Sequence, residues 1–250
     1  MTRPRESGKG CRVRVLPWDS GHFGFPIAIV ESHRPSEVEL KQAVSNAERR
    51  NVRCLYFLCD ADAPGLAAAA GRLGFELVDL RVTLTRKLTQ GDEADAPAPG
   101  PGLRVRKAVA GDLERLRPMA RSSFTQSRFF VDPQFSRKAV EEMFAIWIDR
   151  EVLDPRGFGV VVEKGGGLAG FATGLTKEAE GRIQLVAVSE GARRIGVGQA
   201  AVRALVVEFA KGGMSRVSVA TQGQNVGAIR LYEDAGFRMS SIQIWFHRWS

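Results

Sequence analysis

Two periods of apolar residues alternate along the chain. Short runs with strand character recur at CRVRVLPW (11–18), IAIVES (27–32), VRCLYFLCD (52–60) and ELVDLRVTLTRKL (76–88). They recur again at LRVRKA (103–108), FGVVVE (158–163), LAGFATGL (168–175), RIQLVAV (182–188), RVSVATQ (216–222) and MSSIQIWFHRW (239–249). Between them lie segments with helical spacing. One runs from Ser36 to about Arg50, and another, APGLAAAAGRLGF, spans 63–75. A third follows GDLERL, with Asp112 as its expected N-cap. A fourth is expected to start at Asp132-Pro133, with the proline at the first helical position, and to put Val140, Phe144 and Trp147 on one face. A fifth sets Val202, Leu205, Val206 and Phe209 at i, i+3, i+4 and i+7. NVGAIRLYEDAGF (225–237) is the last. This alternation predicts an α/β protein with a mixed sheet.

The run GDEADAPAPGPG (91–102) has no apolar periodicity and reads as a semi-extended linker. It divides the chain into an N-terminal α/β region, 1–90, and a second domain, 103–250. The two halves share a pattern. VRCLYFLCD leads through a helix to Gly74-Phe75 and a strand, and RVSVATQ leads through a helix to Gly236-Phe237 and a strand. Counted back from the glycines, Ala70 answers Tyr232 and Ala63 answers Asn225. The N-terminal half is therefore expected to be a partial, degenerate copy of the second, without a glycine loop of its own.

With 36 Lys and Arg against 28 Asp and Glu, the 250-residue chain carries a formal charge of +8. The basic residues stand singly among acidic ones, which favours an anionic small ligand over nucleic acid. The three cysteines, Cys11, Cys54 and Cys59, have no paired spacing and fit buried free thiols in a cytoplasmic protein. His22, His33 and His247 lie far apart, so no metal is expected. The N-terminal stretch is basic with no long apolar run after it, which predicts no signal peptide and no membrane span.

GARRIGVGQA (191–200) is built for phosphate, since it joins a strand to a helix and its glycines allow close backbone approach. Two cofactors suit that arrangement. A dinucleotide loop normally opens its sheet and is followed about 20 residues on by a carboxylate for the ribose. Here the loop follows at least three strands of its domain, and the next strand ends in ATQGQN, without a carboxylate.

The segment VAVSEGARRIGVGQAAVRALVVEFA (186–210) resembles the signature of the GNAT superfamily of acetyltransferases, and NVGAIRLYEDAGF resembles its second half. The resemblance implies a mostly antiparallel mixed sheet and acetyl-CoA as co-substrate. It also implies a strand end at Val186 and Val188 that aligns the thioester arm, with backbone amides of Arg193, Arg194, Ile195, Gly196, Val197 and Gly198 around the pyrophosphate. Asn225 would contact the coenzyme as well as cap its helix. Tyr232 would act as the general acid, protonating the departing thiolate; a core aromatic would satisfy the same spacing.

Three stretches, LPWDSGHFGFPIAIV (16–30), ARSSFTQSRFFVDPQF (120–135) and VATQGQNVGAIRLYEDAGF (219–237), resemble those members of the superfamily that acetylate dTDP-linked 4-amino-4,6-dideoxy sugars. That resemblance implies an amino-sugar nucleotide as acceptor and a homodimer as the usual assembly. Physically, Ser127 suits a sugar oxygen, Arg128 a phosphate, and Phe129 or Phe130 a base. Leu231 departs from the pattern, because a basic residue precedes the tyrosine in those relatives. Glu178, Glu180 and Glu190 flank the loop-bearing strand, but none is an obvious base. Acetylation of another amine, or coenzyme binding without catalysis, remains open on the sequence.

Overall fold

A computed structural model describes residues 12–93 and 100–250. Cys11 and residues 94–99, half of the run 91–102, lie outside these residues. In chain order the elements are β1 (Val13–Val15), α1 (Pro17–Phe23), β2 (Ile27–Val30), α2 (Glu37–Arg49), β3 (Cys54–Asp60), α3 (Leu66–Arg72), β4 (Glu76–Lys87), β5 (Leu103–Lys107) and α4 (Leu113–Ser123). They continue with α5 (Arg128–Val131), α6 (Arg137–Leu153), β6 (Gly157–Lys164), β7 (Gly167–Lys177), β8 (Glu180–Val188), α7 (Val197–Lys211), β9 (Arg216–Gln222), α8 (Val226–Asp234) and β10 (Arg238–Trp249).

The chain forms two compact units, one of Met1–Arg81 with Ile242–Ser250 and the other of Val82–Ser241. The division falls ahead of the proline-rich run, because β4 and β10 each begin in one unit and end in the other.

In the first unit, β1 pairs antiparallel with β2, β2 parallel with β3, and β3 antiparallel with Gln243–Trp249 of β10. Leu40, Val44 and Ala47 of α2 and Leu66 and Ala70 of α3 bury against Phe57, Phe75 and Phe246. Ser36 and Glu39 close the start of α2 with a capping box, each side chain accepting the other's backbone N–H. Pro17 begins α1, so the strand expected through residue 18 stops at Val15; proline fits the first turn of a helix and interrupts a ladder. Cys54 and Cys59 are buried free thiols, and burial pushes Cys59 up to about 11.

The second unit carries the strand order β9-β8-β7-β6-β5, antiparallel from β5 to β8 and parallel between β8 and β9. Residues of β7 alternate between the faces of this sheet: Gly174 meets Phe209 of α7, whereas Thr173 bonds Glu151 of α6. On the α7 side Val202, Leu205, Val206 and Phe209 bury as their spacing predicts.

Two expected caps behave otherwise. Asp112 turns back to accept from Val109 N at 2.9 Å and to pair with Arg106, leaving α4 without a side-chain cap. Asp132 forms an Asx turn, accepting from Gln134 N at 3.0 Å, and α6 starts later, after Ser136. Val140 and Phe144 of α6 are still buried.

The internal repeat is visible in atomic detail. Gly74 and Gly236 both take positive φ, at 79° and 84°. Phe75 N bonds Ala70 O and Phe237 N bonds Tyr232 O, each at 3.0 Å. In each unit an arginine from a neighbouring strand, Arg248 or Arg86, donates to the carbonyl just before the glycine, that of Leu73 or Ala235. Ala70 therefore stands where Tyr232 stands, as the spacing indicates. Among the described residues no helix is long and apolar enough to cross a membrane.

Candidate coenzyme and acceptor site

The register between β8 and β9 runs from Glu180↔Arg216 to Ile183↔Val219. Both strands continue past it, β8 to Val188 and β9 to Gln222, without pairing with each other. On its other side β8 stays in the ladder, with Val186 opposite Ala172 and Val188 opposite Gly170. One edge of Leu185–Val188 is thus left open, and an extended chain can hydrogen-bond to such an edge. A bulge produces this departure. Ala172↔Val186 and Gly174↔Ile183 leave two residues of β8, Gln184 and Leu185, opposite the single Thr173.

Beyond Val188 a 3-10 turn, Glu190–Ala192, leads to Arg193 and then to Arg194, an arginine in the left-handed region at φ 64°. Gly196 follows at φ 86° and opens α7 with no side-chain cap. The amides of Val197, Gly198 and Gln199 head the helix without carbonyl partners one turn back, and no acidic residue occupies the first turn. This is the local chemistry of an anion cradle. The corresponding helix of the first unit, α2, has Glu37 and Glu39 in its first turn and a capping box over its start, both unfavourable to a phosphate. Arg193 is exposed and lies 3.7 Å from Glu190, and Ile195 is 39% exposed.

Gly198 is closely packed. A Cβ there would lie 3.2 Å from Leu231 Cδ2 and 3.5 Å from Val188 Cγ2. The loop, the end of β8 and α8 therefore meet at this residue, and the apolar Leu231 serves that contact. Gly170 does the same beneath it, where a Cβ would stand 2.7 Å from both Ala187 O and Val197 Cγ1. A groove of about 470 Å³ follows α7 away from the loop, lined by Gly196, Gln199, Arg203 and Lys107.

Asn225 caps α8, accepting from Ala228 N at 3.1 Å. Tyr232, 5% exposed, shares a buried cluster with Ala192, Val197 and Ala201, and its ring centroid lies 6.0 Å from that of Phe237. Its hydroxyl has no hydrogen-bond partner among the described residues, and burial pushes the phenol well above its usual range. The group is fully protonated at neutral pH.

The segment 122–130 comes to the same place. Gln224 Nε2 donates to Gln126 O at 3.3 Å, tying it to the turn just before Asn225. Ser127 is buried, and its hydroxyl has no partner among the described residues. Arg128 lies over the Phe129 ring at 3.9 Å. Phe129 itself is 4% exposed, edge-on to Phe135 and Trp147, which makes it a core aromatic with no face open to a base. Phe130 is half-buried, stacked on Phe144 at 6.1 Å.

Of the three carboxylates that flank β8, Glu180 lies 3.3 Å from Arg216, and Glu178 and Glu190 sit in exposed turns. Sequence reasoning missed a fourth, Glu151. It occupies a position on the apolar stripe of α6 that begins at Val140, and a lone charge on such a stripe is the signal that points to it. Burial raises its carboxyl to about 7, against the lowering effects of the Thr173 hydroxyl and of Arg150. Among the described residues no group of three or more His, Cys, Asp or Glu could hold a metal ion.

Residues 114–237 match the model of the Acetyltransferase (GNAT) family. The spore coat polysaccharide biosynthesis protein SpsD of Bacillus subtilis is 32% identical over 139 residues, 56% of this chain and 48% of that protein. Mycothiol acetyltransferase of Nocardiopsis dassonvillei is 30% identical over 178 residues, covering 62% of this chain and 52% of that protein. The chain thus spans about half the length of each of these two. The dTDP-fucosamine acetyltransferase of Escherichia coli O6:H1 is 25% identical over 240 residues, 94% of this chain and 97% of that protein.

Among solved structures, a GCN5-related N-acetyltransferase from Sphaerobacter thermophilus superposes with a TM-score of 0.70 at 16% identity, covering 96% of this chain and 76% of that one. A tandem GNAT protein from the clavulanic acid biosynthesis pathway superposes with a TM-score of 0.61 at 15% identity, covering 90% and 76%. Both likenesses bear on the fold alone, an α/β mixed sheet of the GNAT type preceded by a smaller, degenerate copy. The open strand edge, the uncapped glycine loop and the matched segment together identify this chain as carrying an acetyltransferase domain of the GNAT family.

Proposed function

We propose that the chain is an acetyl-CoA-dependent N-acetyltransferase acting on the amine of a dTDP-linked 4-amino-deoxy sugar. In this reading the amides around Gly196 and Gly198 hold the pyrophosphate, and the edge of β8 at Val186 and Val188 aligns the thioester arm. The amine attacks the thioester carbonyl directly within a ternary complex. A C–N bond forms, the C–S bond breaks, and Tyr232 gives its proton to the departing sulfur. The attacking nitrogen releases its own proton to water. Acetyl-CoA and nucleotide-linked sugars are cytoplasmic metabolites, which would place the enzyme there.

The observation that carries the acceptor class is the contact between Gln126 and Gln224, which sets Ser127, with its unpartnered buried hydroxyl, next to the start of α8. An orphan hydroxyl costs free energy unless a ligand satisfies it, and a polyhydroxylated sugar supplies the partners. The Bacillus relative, a spore coat polysaccharide biosynthesis protein, and the Escherichia relative, a dTDP-fucosamine acetyltransferase, agree with a saccharide acceptor. A second reading, a different small-molecule amine, is favoured by the mycothiol acetyltransferase match.

Measuring thiol release from acetyl-CoA against dTDP-4-amino-4,6-dideoxy sugars, other small amines and a set of peptides separates these readings. Turnover with the sugar nucleotides is expected. Turnover with other amines and none with the sugar nucleotides would reverse the order.

A further inference from the structure

Glu151 and Thr173 have no part in the reaction as proposed, yet both are buried, at 9% and 1% exposure, and they lie beneath the bulge where β8 turns from β9. Three groups form a chain there. Leu185 N, an amide of the bulge, donates to Thr173 Oγ1 at 3.1 Å, and the Thr173 hydroxyl donates in turn to Glu151 Oε2. An amide displaced from a ladder by a bulge must find another acceptor, since a buried N–H without one costs more than most single contacts return. Thr173 is that acceptor. Its own hydroxyl proton needs a fixed direction to keep a lone pair aimed at Leu185, and the Glu151 carboxylate provides it.

Resting on the acetyl-CoA reading above, we infer that Glu151 is a positioning residue for the coenzyme-facing edge of β8. It acts through the Thr173 hydroxyl, which pins Leu185 in the bulge and so fixes where Val186 and Val188 present their open edge. In this reading neither Glu151 nor Thr173 touches coenzyme or acceptor. Their effect is on the geometry of the arm, in the way that outer hydrogen bonds orient the groups that do make contact. A loss at this distance is expected in coenzyme affinity, with the acid at Tyr232 and the acceptor loop at Ser127 unaffected.

The test compares wild type with Thr173→Val, Thr173→Ser and Glu151→Gln. The readouts are coenzyme A affinity by calorimetry, KM for acetyl-CoA against kcat, and amide exchange of the peptide covering residues 182–188 in the unliganded protein. Thr173→Val should weaken coenzyme A binding about ten-fold, the effect of losing one buried hydrogen bond of ordinary strength. It should raise KM similarly, leave kcat within about two-fold, and speed exchange at Leu185. Thr173→Ser, which keeps the hydroxyl, should restore all three, and Glu151→Gln should fall between.

If Thr173→Val and Glu151→Gln only lower the melting temperature, with wild-type coenzyme affinity and wild-type exchange at Leu185, the inference is overturned. A wild-type chain that binds no coenzyme A overturns the reading of the site itself, and the inference with it. The exchange measurement reports on the bulge whether or not any variant is active.

Discussion

Tyr232 and Glu151 are both buried acids, and burial affects their protons differently. The phenol, already weakly acidic, is driven further from ionisation, so it holds its proton at any physiological pH. Tyr232→Phe keeps the ring and its packing while removing that proton. It should lower kcat about 100-fold with coenzyme A affinity close to wild type, as steady-state kinetics and calorimetry would show.

For Glu151, burial moves the carboxyl from 4.5 to about 7, into the range where cellular pH decides its state. A carboxyl raised on folding contributes stability below 4.5 that is lost as the pH climbs through 7. Glu151→Gln cannot ionise, so it should gain on wild type by on the order of 2 kcal/mol between pH 4.5 and 7.5. Urea unfolding at several pH values measures this, and a constant difference between the two proteins would contradict it. Tyr232 is singled out through the resemblance of its helix to the family signature. Glu151 was hidden because its importance comes from a bulge on another element, which spacing within α6 does not encode.

Elements were legible wherever one period prevailed. The strand-loop-helix of β8 and α7 and the capped helix α8 follow directly from alternation, a glycine pair and an N-terminal Asn. Errors arose where one residue signal serves two local structures. Asp132-Pro133 reads as a helix start, but an aspartate before a proline equally makes an Asx turn, and packing of Phe129 and Phe135 selects the turn. Phe129 also shows the limit at the site. Its ring fits base stacking by chemistry and core packing by position, and the fold uses it in the core.

Close approach of elements was likewise invisible in the sequence, since a glycine does not say what lies opposite. At Gly170 that neighbour is the start of α7, so Gly170→Ala must shift either β8 or the loop helix. A stability loss of about 2 kcal/mol is expected, with a larger fall in coenzyme affinity than in unfolding midpoint alone would suggest. Chemical denaturation and coenzyme titration on the same variant check both.

At the scale of the molecule, composition marked 91–102 as the division, because prolines and glycines there end all periodicity. Contacts divide the chain elsewhere, with β4 and β10 each passing from one unit to the other. No composition rule reports such an exchange, since each strand looks like the last strand of its own half. A chain shortened to residues 103–250 follows the apparent boundary. It would lose the part of β4 that belongs to the second unit and strand the part of β10 that pairs with β3. It should fail to unfold cooperatively, as circular dichroism melts and size-exclusion profiles would reveal. Normal cooperative melting of that piece would show that the exchanged strands are dispensable.

The exchange also sets an order of events during synthesis. Domains usually complete themselves in turn as a chain emerges, the N-terminal one first. Here β3 obtains its antiparallel neighbour only from Gln243–Trp249, made after the whole of the second unit. Until then the nascent first unit presents one long edge of Cys54–Asp60 unpaired, an apolar strand of the kind that invites association with other chains. The first unit therefore stays incomplete until its closing strand has emerged and paired with β3.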